Sequence, residues 1–362
     1  MTGDAAVRIG IIGLGNIGRH HADQLRRSGG QLVGGLDILP EARERFATDY
    51  GVETYAEADE LLSTTDAVII TTPNRFHEEY ATRALEAGLD VLLEKPLAHD
   101  VESAEGIAAA ARESEAICMV GFHNRFLPPV EVLKDRIDSG RFGDVTHVDA
   151  NYVRRRGIPG RGSWFTDRSI AGGGALIDIG VHALDVALYL LDFPEILEVS
   201  GVTRSEFGSR EDYTYLLMWG EDDTDGEFDV DDSATAFIRC AGGRTISLDV
   251  AWAANQPNDD SITVRGTDAG ARFDRGTGSL DVFRTSGEGA PHFSDQQVTT
   301  REVNAHAAEQ RAFVEAVETG VQPDRNTVEQ ALAVQRVIEA IYRSSERGEA
   351  VDIVAETAAT TK

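Results

Sequence analysis

Three polar side chains punctuate an otherwise apolar stretch, Gly172 to Asp185, that reads Gly-Gly-Gly-Ala-Leu-Ile-Asp-Ile-Gly-Val-His-Ala-Leu-Asp. Asp178, His182 and Asp185 stand at i, i+4 and i+7, so on a helix they form one stripe whose adjacent members can touch. Such a helix could simply bury a satisfied histidine. A carboxylate one turn before an imidazole, however, can hold the ring and tune its pKa toward neutrality, where it both takes and returns a proton. The chemistry indicated is acid–base catalysis, with His182 exchanging the proton and Asp178 positioning imidazole or substrate.

Lys95 is a second candidate. Of the 34 lysines and arginines in the chain, only Lys95, Lys134 and Lys362 are lysine. Lys95 sits in Glu94-Lys95-Pro96, directly after a strand-like apolar run. Arginine would serve a surface role equally well, whereas a compact ammonium with an adjustable pKa suits polarising a substrate hydroxyl. The bland alternative is a chance survivor of lysine loss, and Lys134 and Lys362 show that survivors exist.

A third constellation lies near the start. After a short strand from Val7, Gly13, Gly15 and Gly18 follow in G-x-G-x-x-G spacing with Asn16 and Ile17 between them, and a helix pattern runs to about Ser28. Between strand and helix, such glycines permit a tight turn, let the backbone approach a pyrophosphate and present free helix N–H groups to it. The next strand, Gln31 to Asp37, ends in an acid 19 residues after Gly18, placed to accept from both ribose hydroxyls. A carboxylate there repels a 2′-phosphate, and Ile38 and Leu39 replace the Ser or Arg a phosphate would want, so NAD is favoured. Arg19 or Arg43 leave NADP open.

The elements that must position these groups alternate in doubly wound fashion. Helix Glu41 to Tyr50, strand Val52 to Tyr55, a helical turn Asp59 to Ser63, strand Ala67 to Thr71, helix His77 to Ala87 and strand Asp90 to Leu93 follow in order. Ligands in such sheets sit beyond the carboxyl ends of the strands, which makes Thr71 to Asn74 and Glu94 to Pro96 pocket residues by topology. Helix Val101 to Glu113 and strand Ala116 to Phe122 come next. His123-Asn124-Arg125-Phe126 leaves that strand, and Pro128-Pro129 marks a boundary.

At 362 residues and 41% hydrophobic content, the chain suggests two domains by the rough guide of about 150 residues each. No run of 18 or more apolar residues occurs, and no basic leader with a long apolar segment precedes Val7, so a cytoplasmic protein is expected. The net charge of −28 comes with no basic face, which argues against nucleic acid and anionic membranes as partners. The acids are spread through folded-looking segments, the pattern of a surface adapted to a high-salt cytoplasm, as in a halophile. Cys118 and Cys240 sit in strand-like apolar runs and read as buried thiols, and no Cys/His spacing suggests a metal site.

Taken together, the Gly13 to Gly18 turn, Thr72-Pro73-Asn74, Glu94-Lys95-Pro96, Asn124-Arg125-Phe126 and the Gly172 to Asp185 stretch resemble the glucose-fructose oxidoreductase, inositol dehydrogenase and rhizopine-catabolism family, Gfo/Idh/MocA. The resemblance runs in order over nearly the whole chain. It implies a Rossmann doubly wound parallel sheet over residues 1–127, binding NAD(P) through Gly13, Gly15, Asn16, Ile17, Gly18, Asp37, Thr72, Pro73, Asn74, His77, Glu94 and Lys95. It also implies an α+β domain with an open, mostly antiparallel sheet over residues 128–362, through which homodimers or homotetramers form. Catalytic roles are implied for Lys95, Asp178 and His182.

In the second half, Asp144 to Arg156 reads as a long strand crossing between domains. It leads into Arg154 to Phe165, a basic and aromatic loop in which Arg156 and Trp164 join Asn124, Arg125 and Asp178 as substrate-binding candidates. Arginines neutralising nearby carboxylates would produce the same composition. Further strands are expected at Glu195 to Phe207, Ala234 to Cys240, Arg244 to Trp252, Ser261 to Arg265 and Leu280 to Phe283. Glu221 to Asp232 holds eight acids in twelve residues and reads as a solvated loop or sheet edge. Helices Asn304 to Thr319 and Thr327 to Arg347 are expected to pack back toward the first domain, with His306 able to reach its pocket, and the tail after Glu356 is expected to be disordered. The function expected is metal-free reversible oxidation of a secondary alcohol of a sugar or polyol. The family resemblance keeps two others open: glycoside hydrolysis through transient oxidation with retained NAD, and a sensing regulator without chemistry.

Overall fold

The computed structural model describes residues 6–214 and 226–354, and the chain divides into two compact units: Met1–Phe126 with Asn304–Gln335, and Leu127–Val303 with Arg336–Lys362. The expected disordered tail lies outside the described residues.

In the first unit, β1 (Arg8–Ile12), β2 (Gln31–Leu36), β3 (Glu53–Tyr55), β4 (Ala67–Ile70), β5 (Asp90–Leu93) and β6 (Cys118–Val120) form a parallel sheet in the order β3-β2-β1-β4-β5-β6. β1, β4, β5 and β6 are near-continuous apolar runs because helices cover both faces of a parallel sheet. The helices are α1 (Asn16–Ser28), α2 (Pro40–Tyr50), α3 (Ala58–Leu62), α4 (His77–Glu86) and α5 (Val101–Glu113). The strand order reverses between β1 and β4, which opens a crevice at their carboxyl ends.

The second unit begins with α6 (Pro128–Asp138). Pro128 and Pro129 fill its first turn, where a missing N–H costs no intrahelical bond, so the pair read as a boundary also starts a helix. β7 (Val145–Val153) lies within this unit, contrary to the expected crossing, because both its ladder partners, Thr245–Ala251 and Ser261–Gly266, belong to the same unit; beyond Val153 isolated bridges such as Arg156 to Ala253 replace the regular strand. α7 (Arg168–Ala171) and α8 (Val181–Leu190) flank the glycine-rich stretch. The segment Arg168–Leu190 has the length and hydropathy of a membrane span, but 89% of its apolar window is buried inside the protein, as befits a core helix.

β8 (Ile196–Arg204), β9 (Ser233–Cys240), β10 (Thr245–Ala251), β11 (Ser261–Gly266), β12 (Gly270–Asp274), β13 (Ser279–Ser286) and β14 (His292–Val298) join β7 in a second sheet. Its strands pair antiparallel except for β7 with β10. Burial alternates strictly along β9, so one sheet face is covered and the other carries exposed side chains including Val202 and Phe237. Cys118 and Cys240 are free buried thiols, and burial pushes their pKa values up to about 12 and about 11.

The chain then returns to the first unit with α9 (Ala305–Thr319), before α10 (Val328–Arg347) and a short strand β15 (Val351–Asp352) that extends the second sheet beside β8. α9 starts at Asn304, whose side chain accepts from the Ala307 amide. It is tied to the sheet through buried polar groups. Gln310 of α9 donates to the His21 carbonyl and lies 2.6 Å from His21 Nδ1, while His21 Nε2 meets Glu94 Oε1 at 2.8 Å. The His306 ring stacks on His123 at 3.8 Å between centroids and meets His20 edge-on at 4.6 Å.

This cluster makes the fold acid-sensitive. Burial, aided by the charges of His21, His20 and Lys95, pulls His306 down to about 4 from its ordinary 6.5, although Glu94 opposes it. Glu94 is held well below the usual carboxylate range: burial works to raise it, but the hydrogen bond and charge of His21 outweigh that. The unfolded chain therefore takes up a proton near pH 6.5 that folded His306 refuses, so this stability is complete above 6.5 and lost as pH falls toward 4. The Glu94 contribution is present above its ordinary 4.5 and disappears only in stronger acid. Thermal melts between pH 7.5 and 4 should show a loss on the order of 1–3 kcal/mol that His306→Phe largely removes. An unchanged pH slope in the variant would show that His306 is not the group responsible.

Candidate functional site

The nucleotide half of the site is built at the carboxyl end of β1. Gly13 adopts φ +91°, and a Cβ there would lie 2.9 Å from the Thr71 and Thr72 backbone. At Gly18 a Cβ would come within 2.0 Å of the Gly13 carbonyl, so the turn and the start of α1 close on each other. Gly15 is different: its missing side chain would meet nothing within 4 Å, and Gly15, Asn16 and Ile17 are exposed. That open cradle before the free amides of a helix N-terminus suits a pyrophosphate.

Asp37 is wired to this turn, its Oδ2 accepting from the Leu14 amide at 2.8 Å and its Oδ1 from the Leu39 amide at 2.9 Å. Each oxygen retains a lone pair for a ribose hydroxyl. Of the two arginines that could favour a 2′-phosphate, one lies beside Asp37 and the other is paired away from it. Arg43 donates to the Asp37 and Ile38 carbonyls at 2.7 and 3.1 Å, and Arg19 pairs with Asp49 at 2.9 Å.

The loops after β4 and β5 carry Thr72, Pro73, Asn74, Glu94 and Lys95, and the Lys95–Pro96 peptide is cis. His77 is fully buried between these loops, with Nδ1 2.9 Å from the Pro96 carbonyl and Nε2 3.0 Å from the Thr72 carbonyl. Expected in the cofactor-binding set, it ties the two loops together, and burial lowers its pKa against the pull of those carbonyls. Asn124 and Arg125 follow β6. Arg125 has no solvent exposure; it lies over the Phe122 ring and donates to Gln330. His306 is placed within the first unit, against His123 and His20.

In the second unit the expected helix over Gly172 to Asp185 is interrupted. Leu176–Gly180 is a π-turn, and the regular helix resumes at Val181. Widened turns of this kind re-aim side chains and recur at functional sites. The three-residue stripe expected for a continuous α-helix does not survive it intact. Asp178 is half-buried on the π-turn, His182 is 8% exposed one turn later, and Asp185 is completely sealed. The Asp178 Oδ2 accepts from the indole Nε1 of Trp252 at 3.0 Å. Trp252, at the end of β10 and fully buried, was not among the sequence candidates, because a tryptophan closing a strand gives no sign of a partner 74 positions earlier.

The arginine-rich loop is held largely by contacts to residues 207–213 and 254–255. Arg156 donates to the Arg155 and Ala254 carbonyls and to Asn255, and lies over the Phe207 and Tyr213 rings. Arg161 binds the Gly208 and Arg210 carbonyls, and Trp164 stacks on Phe165. The acidic segment also departs from expectation: residues 221–225 lie outside the described residues, but Asp231 and Asp232 are buried rather than solvated. Among the described residues, no group of three or more His, Cys, Asp or Glu side chains could hold a metal ion.

Known proteins share this chain's sequence pattern and fold. Residues 7–122 match the family described as an oxidoreductase family with NAD-binding Rossmann fold, and residues 130–272 match the GFO/IDH/MocA C-terminal domain. The chain is 30% identical to D-glucoside 3-dehydrogenase of Escherichia coli, covering 96% of this chain and 97% of that protein. It is 31% identical to scyllo-inositol 2-dehydrogenase (NAD(+)) of Bacillus subtilis, covering 88% of each. The solved structure of a levoglucosan dehydrogenase in complex with NADH shares the fold with a TM-score of 0.85, at 23% identity over 96% of this chain and 99% of that one. With motifs, sheet orders and both domain matches in agreement, the chain belongs to the GFO/IDH/MocA oxidoreductase family with an NAD-binding Rossmann fold.

Proposed function

We propose that this protein oxidises a secondary alcohol of a sugar or polyol, and reduces the matching ketone, with NAD as hydride carrier. The observation that carries the reading is the open Gly15 cradle beside an Asp37 carboxylate with acceptor capacity to spare, in a chain that keeps Lys95, Asp178 and His182. The curated relatives add a substrate class, since those described above are named for glucoside and inositol oxidation. NAD, when bound, supplies the hydride acceptor at its nicotinamide ring.

In this reading the alcohol's C–H bond breaks with its electron pair leaving as hydride, while the hydroxyl proton passes to the His182 imidazole. The Lys95 ammonium stabilises the negative charge that develops on oxygen. Asp178, fixed by the Trp252 indole, orients the substrate hydroxyl or the imidazole. Asn124, Arg156 and Trp164 remain candidates for sugar recognition at the periphery of this chemistry. A homo-oligomer formed through the outer face of the second sheet would cover Val202 and Phe237, which are 48% and 41% exposed.

With a panel of glucosides, inositols and free aldoses, His182→Asn should lower kcat by roughly two to four orders of magnitude while NAD affinity by calorimetry stays within about twofold. Wild-type turnover in that variant would discard His182 as the proton acceptor. Cofactor choice is tested separately: Asp37→Ser should weaken NAD by about 10- to 100-fold and raise the NADP/NAD ratio of kcat/KM. A ratio that does not move would assign the preference to other residues.

A further inference from the structure

The triple glycine that opens the π-turned segment meets a buried acid and a buried tyrosine. Asp231 Oδ1 accepts from the Gly174 amide and from Tyr342 Oη, both at 2.8 Å, and its Oδ2 accepts from the Leu176 amide at 2.9 Å. The Asp231 carbonyl accepts from the Ala175 amide at 2.9 Å. One residue thus satisfies three consecutive amides at the start of a helical segment, groups that have no partner within the helix itself. The approach is so close that a Cβ on Gly173 would lie 2.0 Å from Tyr342 Oη, and one on Gly174 would lie 1.8 Å from the Asp231 carbonyl. The glycines are there to admit this latch.

The next residue reaches the same segment from its other side. The Asp232 carbonyl accepts from the Trp252 amide at 2.9 Å, and the Trp252 indole in turn donates to Asp178. Asp232 is itself anchored: its carboxylate accepts from the Phe207 and Gly208 amides, and its amide donates to the Arg204 carbonyl. Two adjacent acids at the end of a strongly acidic stretch therefore fix both the first amides of the segment and the partner of its half-buried carboxylate.

We propose that Asp231 and Tyr342 are positioning residues for the Asp178 to His182 segment, setting the geometry of the π-turn through the Gly174 to Leu176 amides without touching substrate. The inference rests on the oxidoreductase reading for its consequence on rate, but not for its consequence on structure. Removing the Tyr342 hydroxyl or one acceptor oxygen of Asp231 loosens the start of the segment, and the Asp178–Trp252 hydrogen bond reports the change.

The test uses Tyr342→Phe and Asp231→Asn in the full chain, with Trp252→Phe to assign the Trp252 emission among the three tryptophans. Acrylamide quenching of the Trp252 component should rise at least about twofold in both variants. In whichever of scyllo-inositol or methyl β-D-glucoside the wild type oxidises, kcat per folded molecule should fall about tenfold for Tyr342→Phe, the worth of one hydrogen bond, and further for Asp231→Asn. KM for NAD should stay within about twofold. Wild-type quenching and kcat in both variants, or a lowered Tm with both unchanged, overturns the proposal. If Asp231→Asn does not fold, Tyr342→Phe decides alone. If the wild type oxidises neither compound, the functional reading is what has failed, and quenching alone decides whether the latch exists.

Discussion

A carboxylate inside an apolar helix is tolerated only in polar company, and for Asp178 that company includes the Trp252 indole. Burying an ionised group without compensation costs several kcal/mol, so the hydrogen bond constrains everything around it. It joins the end of β10 to the glycine-rich segment at the point where that segment widens into a π-turn. It also leaves Asp178 partly accessible while Asp185, two turns on, is sealed. The segment thus leaves Asp178 half-buried and His182 8% exposed and submerges the rest, an arrangement the proposed proton transfer would use.

The nucleotide unit follows a parallel logic. Asp37 both braces the Leu14 amide and keeps acceptor capacity outward, and His77 braces two loops from beneath them. Rigid supports of this kind leave the loops to present backbone and side chains without reorganising when a ligand arrives. The near-absence of lysine sharpens the contrast. Arginine takes over stacking duties, as Arg275 does over Tyr152 at 4.0 Å while pairing with Asp260, and as Arg325 does over Phe126 at 3.7 Å. A planar guanidinium does this better than an ammonium, so a lysine retained beside the nucleotide crevice points to a task that stacking cannot perform.

Much of this was legible in the sequence because parallel strands buried on both faces announce themselves as apolar runs. The loops at the carboxyl ends of β4 and β5 were singled out by topology, and the Gly13 to Gly18 turn and Asp37 by spacing. What stayed hidden depends on long-range packing. The π-turn is indistinguishable from an α-helix in composition. Asp231 and Asp232 looked like solvated acids because they close a run of eight acids in twelve residues, and only the fold brings Asp231 to the Gly174 to Leu176 amides. Arg125 and His77 carry polar side chains at plausible positions yet are fully buried, since sequence position does not reveal which way a side chain faces. β12 and β14, short and largely polar, escaped notice for want of an apolar signature.

The central proposal is that the Lys95 ammonium and the His182 imidazole act on one hydroxyl in one step. Groups that work as a unit are strongly non-additive when removed singly and together. The deciding measurement is therefore kcat for Lys95→Met, His182→Asn and the double variant, on the best sugar or polyol substrate with saturating NAD. The account predicts that the double variant falls no more than about tenfold below the worse single one. Losses that multiply in full would mean that the two side chains act independently, and would contradict it.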